Sequence, residues 1–170
     1  MSSRFLVTSG TPTDSDLHAC LSSDGRRETI AIAKALFGKV HAPNSVIVHS
    51  HLPHVTESAK LIGYSLAFPS TSFIENSGIA DYGSYLTTHG NCPGMVLTKA
   101  VKDSKPGTVF VAQPYCAAAV LKHLALAGTE HPGTQWTQDP RFQKTRIPIV
   151  APGMLLELTD THYNTLRTRT

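Results

Sequence analysis

Val46-Ile47-Val48-His49-Ser50-His51-Leu52-Pro53-His54-Val55-Thr56-Glu57-Ser58-Ala59-Lys60-Leu61-Ile62-Gly63 runs from a buried-strand pattern through a polar turn into an amphipathic helix. Proline is tolerated in the first turn of a helix, so Pro53 marks the start, and Ala59, Ile62 and Leu66 share one face. In open α/β sheets such strand-to-helix junctions lie where ligands bind. Three histidines fall within six positions of this one.

Outward from that junction the chain repeats the same unit. Arg4 to Thr8 reads as a first strand, broken by Ser9-Gly10-Thr11-Pro12-Thr13-Asp14. A helix opening at Asp24 or Gly25 follows, with an apolar stripe of Ile30, Ala33, Ala35, Leu36 and Phe37 and a stop at Gly38. Met95 to Val101 reads as a short helix, Thr108 to Ala112 as a third buried strand and Cys116 to Ala127 as a helix. Ile147 to Val150 and Met154 to Leu158 read as late strands. Residues 67–93, rich in Ser, Thr, Gly and Asn without a sustained period, read as an irregular excursion that covers the pocket, and His131 to Arg146 as a loop. Helices alternating with apolar strands imply a three-layer α/β/α sandwich with a mostly parallel sheet.

The 170 residues suit one domain, 1–170. A formal charge of +3, spread over scattered basic residues such as Arg141, Lys144 and Arg146, gives no nucleic-acid or membrane footprint. Three cysteines at unrelated spacings, Cys20, Cys92 and Cys116, favour a reducing, cytoplasmic location.

Three segments, taken in order, resemble the histidine phosphatase, or phosphoglycerate-mutase-like, superfamily: Thr8-Ser9-Gly10, Leu21-Ser22-Ser23-Asp24-Gly25-Arg26-Arg27, and His49 through Ala59. The match runs from residue 4 to about 128. In that family the corresponding letters are Arg-His-Gly, a Leu-Thr-x-x-Gly-Arg-Arg type sequence, and Ser-Ser-x-Leu-x-Arg-x-x-x-Thr-Ala. The resemblance places Ser9 where the family has its nucleophilic His, Thr8 at the neighbouring Arg, His54 at the second Arg and Gln113 at the second His. Neither threonine nor imidazole supplies the fixed, bidentate charge of a guanidinium, and without the family's His there is no phosphohistidine intermediate. The resemblance therefore implies the scaffold without phosphatase or mutase chemistry. Phe73-Ile74-Glu75 resembles the segment that carries the family's leaving-group acid.

The candidate catalytic residues are His54, as a base titrating near neutrality, Glu75, as an acid, and Ser9. Ser9 is a hydrogen-bond donor or a small turn residue, since no base or Gly-x-Ser-x-Gly elbow activates it. Thr8, Gln113, His49 and Tyr115 are candidate substrate contacts. Asp81 and Tyr82 could line the opening or be solvated, and Cys116 reads as buried core. His49, His51 and His54 could supply nitrogens to a metal, but no further ligand is set by spacing, so no metal and no cofactor is expected. Two readings follow: a repurposed small-molecule enzyme using acid–base chemistry (dehydration, isomerisation, cyclisation or hydrolysis) on a non-phosphorylated substrate, or an inactive pseudophosphatase that binds a ligand or protein. A small-molecule ligand is the expected partner, with homo-oligomerisation open.

Overall fold

A computed structural model describes residues 3–42, 44–80, 94–124, 127–128, 135–136, 146–147, 150–160 and 162–166. The elements are β1 (Arg4–Thr8), α1 (Ser23–Leu36), β2 (Ile47–His49), α2 (Pro53–Ser65), β3 (Phe73–Glu75), α3 (Met95–Asp103), β4 (Val109–Ala112), α4 (Pro114–Leu124), β5 (Ala127–Gly128), β6 (Gln135–Trp136), β7 (Arg146–Ile147), β8 (Leu155–Leu158) and β9 (His162–Leu166). A seven-stranded sheet takes the order β3-β2-β4-β1-β8-β9-β5, and β6 pairs with β7. The pairs β3/β2, β2/β4, β4/β1 and β9/β5 are parallel, while β8 runs antiparallel to both β1 and β9. The mostly parallel α/β sandwich expected from the sequence is therefore present.

Period-2 alternation builds two cores from the same strands. Phe5, Val7, Ile47, Val109, Val111 and Leu155 pack on one side with Ile32 and Leu36 of α1 and Val55, Ala59 and Ile62 of α2. Leu6, Val48, Phe110, Ala112 and Leu156 pack on the other with Leu97 and Val101 of α3 and Ala117, Val120 and Leu121 of α4. Near-continuous apolar runs are what a sheet covered on both faces requires.

Several boundaries and one face differ from the sequence reading. The cap of α1 is Ser22, whose side chain accepts the Gly25 N–H at 3.0 Å, so the helix opens before Asp24. Ile30 and Phe37 lie outside the core, 40% and 80% exposed, because the buried face of α1 is Thr29, Ile32, Ala33 and Leu36, rotated from the expected stripe. The 67–93 excursion is not irregular throughout. Phe73–Glu75 forms the edge strand β3, flanked by 3-10 turns at Ser70–Ser72 and Ser77–Ile79, because parallel pairing with β2 satisfies a backbone whose sequence carries no strand period. Residues 81–93, including Asp81, Tyr82 and Cys92, fall outside the described set, as does most of the 131–146 loop. The helix after β4 begins at Pro114, two residues ahead of Cys116, and β9 adds a late strand that the sequence reading omitted.

Candidate functional site

The strands β3, β2, β4 and β1 are adjacent and parallel, so their carboxyl ends share one edge. From that edge β1 leads to α1 on one face and β4 leads to α4 on the other, which opens a crevice between them. His49 is paired in register with Glu75 and with Val111, and Thr8 with Ala112. The alternation that sends Val7, Ile47, Phe73 and Val111 toward α1 and α2 assigns His49 and Glu75 to the same face, and Ser9 and Gln113 follow directly on β1 and β4. The first turn of α2, with His54, covers that face. Topology thus gathers residues from four separate segments.

His54 is 6% exposed, and its Nδ1 lies 3.3 Å from the Ala19 carbonyl. A carbonyl oxygen can only accept, so Nδ1 carries the proton and the neutral ring keeps its lone pair on Nε2. Burial lowers the His54 pKa from 6.5, and the bond to Ala19 opposes that shift only in part. His54 is therefore a neutral imidazole near pH 7. His49 is also buried, with Nδ1 donating to the Ser50 carbonyl at 2.8 Å and its ring edge-on to Phe73. The Thr56 hydroxyl donates to that same carbonyl at 3.0 Å, whereas the buried Ser50 hydroxyl has no partner among the described residues.

Thr8 is committed to the scaffold. Its hydroxyl donates to the Ala151 carbonyl at 2.7 Å and accepts the Met154 N–H at 2.8 Å. Ser9 is 1% exposed, its N–H donates to Ala112 at 2.9 Å and its carbonyl accepts from Gly153 at 3.0 Å. Next to it, Gly10 donates to the Ser58 hydroxyl at 3.2 Å, and Ser58 donates to the His54 carbonyl at 2.9 Å. That chain of bonds joins the end of β1 to the first turn of α2. Glu75 is solvent-exposed at the end of edge strand β3. Gln113 and Tyr115 are half-buried at the β4–α4 junction, with the Tyr115 hydroxyl shielded from solvent, and Cys116 is in the core.

Among the described residues no three His, Cys, Asp or Glu side chains form a metal-binding group. Nδ1 of both His49 and His54 donates to a carbonyl, so at each ring only Nε2 is free to act as a ligand. Arg26, the guanidinium that meets α2, is paired with Glu57 at 2.6 Å. The sequence reading did not single out Ala19, Glu57 or Ser58. Ala19 acts through its backbone, which carries no sequence signal, whereas Ser58 stands in the Thr-Ala position of the family pattern. Among the described residues no helix is long and apolar enough to cross a membrane.

No protein-family model matches the sequence, and no curated protein sequence does. Solved structures do. The protein histidine phosphatase SixA complexed with tungstate is 15% identical with a TM-score of 0.62, over 97% of this chain and 94% of that one. Mycobacterial glucosyl-3-phosphoglycerate phosphatase complexed with VO3 is 12% identical with a TM-score of 0.59, over 100% of both chains. Phosphoserine phosphatase from Entamoeba histolytica, in complex with 3-phosphoglyceric acid, is 11% identical with a TM-score of 0.59, over 100% of this chain and 98% of that one. The chain has the histidine phosphatase fold. At these identities the likeness concerns fold alone.

Proposed function

We propose that this chain is an enzyme that carries out acid–base chemistry on a non-phosphorylated small molecule at the carboxyl edge of the sheet, with His54 as general base and Glu75 as general acid. The observation that carries this reading is the state of His54: a neutral ring whose Nδ1 proton is held by Ala19 and whose Nε2 keeps its lone pair. A base must be unprotonated at its working pH, and burial keeps it so. Ser9 and Gln113, which follow β1 and β4, are neutral hydrogen-bonding groups suited to orienting a carbonyl or hydroxyl. Solved structures of the same fold are named as phosphatases, and the sequence resemblance puts Ser9 and His54 where that family has a His and an Arg. A neutral, oxygen-rich substrate fits such a site better than a phosphate ester does.

The test is a screen of small metabolites for turnover, run beside a generic phosphatase assay. His54→Ala and Glu75→Gln are each expected to lower turnover by about 10²–10⁴-fold with the fold intact. Phosphate release that depends on Ser9 or His54 would overturn the proposal.

One feature favours the second reading, a non-catalytic binding module. Ile30, Ala33, Lys34, Phe37, Ser65 and Leu66 line an open, largely apolar groove of about 560 Å³ on the outer face of α1 and α2. If Phe37→Ser abolished a stable complex while His54→Ala changed nothing measurable, binding would replace catalysis as the function.

A further inference from the structure

Two side chains one turn apart on α2 grip the same loop. His54 holds the Ala19 carbonyl, and Glu57 accepts the Leu21 N–H through Oε2 at 2.9 Å while its Oε1 takes Arg26 Nε at 2.6 Å. Residues three apart on a helix face the same direction, so the spacing of His54 and Glu57 meets that of Ala19 and Leu21 across the gap. The loop itself is folded back as a short hairpin: Pro12 bridges Leu21, Thr13 donates to Cys20 at 2.9 Å, and Ala19 and Leu21 are buried.

The two grips differ in strength. A backbone N–H on a carboxylate at 2.9 Å is charge-assisted, and Arg26 Nε pairs with the other oxygen of that carboxylate at 2.6 Å. The His54 contact at 3.3 Å is long for a hydrogen bond to a carbonyl and tolerates little further separation. Imidazole in water prefers its proton on Nε2. Keeping it on Nδ1 therefore requires the Ala19 carbonyl to stay where it is.

We propose that Glu57 is a positioning residue for His54: by anchoring Leu21 it holds the Ala19 carbonyl against Nδ1 and so selects the tautomer with a free Nε2 lone pair. This rests on the reading of His54 as a base, but the tautomer can be observed without any substrate. The experiment is nitrogen-15 NMR of the imidazoles in the full-length protein above neutral pH, with His54 assigned by comparison with His54→Asn. The wild type is expected to show His54 protonated on Nδ1. Glu57→Ala should shift it toward the Nε2-protonated form with the backbone amide spectrum otherwise preserved, and Glu57→Gln, which keeps an acceptor for Leu21, should restore most of the wild-type pattern.

A wild-type His54 protonated on Nε2 would overturn the proposal without recourse to any variant. So would an unchanged tautomer in Glu57→Ala or, if that variant does not fold, in Glu57→Asp, whose carboxylate is drawn back from Leu21. A tautomer that follows Glu57 while no turnover depends on His54 would leave this inference standing and remove the proposed catalytic role.

Discussion

Gly10 and Gly25 are packed backbone to backbone: a β-carbon on Gly10 would overlap the carbonyl of Gly25, and one on Gly25 would overlap that of Thr11. This contact sets the end of β1, and with it Ser9, directly against the first turn of α1. Neither position has room for a methyl group, and the obstructing atoms are main chain, which cannot rotate away. Gly10→Ala and Gly25→Ala are each expected to destabilise the fold by about 1–3 kcal/mol or more, read from urea unfolding. Gly38→Ala is the contrast. There a β-carbon meets nothing, and only the left-handed φ of +78° opposes it, at about 1–2 kcal/mol.

Thr8 bridges the end of β1 to the turn at residues 151–154 through both roles of its hydroxyl. Thr8→Val keeps the shape and removes the hydroxyl from the Ala151 carbonyl and the Met154 N–H, at a cost of about 0.5–1.5 kcal/mol for each bond lost. Thr8→Ser should recover most of that stability. Should Thr8→Val instead leave the urea midpoint in place and impair only ligand binding, the hydroxyl belongs to the ligand and not to the scaffold.

Burial lowers the pKa of His54 from 6.5 in the folded state. The unfolded chain then binds a proton at a pH where the folded chain does not, so stability falls as pH drops below about 6.5 and levels off beneath the folded pKa. His54→Asn, whose amide can still donate to Ala19, should flatten this part of the profile. Urea unfolding of both proteins from about pH 7.5 to pH 5 checks it. Equal slopes would show that the imidazole is not protected.

Ser22 caps α1 by accepting from Gly25 while its hydroxyl donates to the Thr11 carbonyl at 2.8 Å. Ser22→Ala should cost about 1 kcal/mol and Ser22→Thr, whose hydroxyl keeps both the accepting and the donating role, much less. Comparison of thermal midpoints would separate the two.

Val46 to Gly63 reads as a strand, a turn and a helix from its pattern alone, and the structure places β2 at Ile47–His49 and α2 at Pro53–Ser65. Sidedness was harder. The α1 stripe came out rotated because the face that meets α2 carries the small Thr29, whose hydroxyl lies 3.5 Å from that of Ser58, with Ile32, Ala33 and Leu36 beside it in the core. Strand β3 escaped notice because its residues acquire strand geometry only through pairing with β2.

By itself, then, the sequence determined the alternation of buried strands and helices, since apolar periodicity is a local property of consecutive residues. It also carried the resemblance that marks Thr8, Ser9, His54 and Gln113 as candidate site residues. Only tertiary structure decided which of those groups are available for chemistry. Thr8 spends its hydroxyl on residues 151 and 154, and His54 takes its tautomer from the Ala19 carbonyl. Both outcomes depend on backbone groups brought from distant segments, and main-chain atoms are the same at every position, so no reading of side-chain letters could have named them.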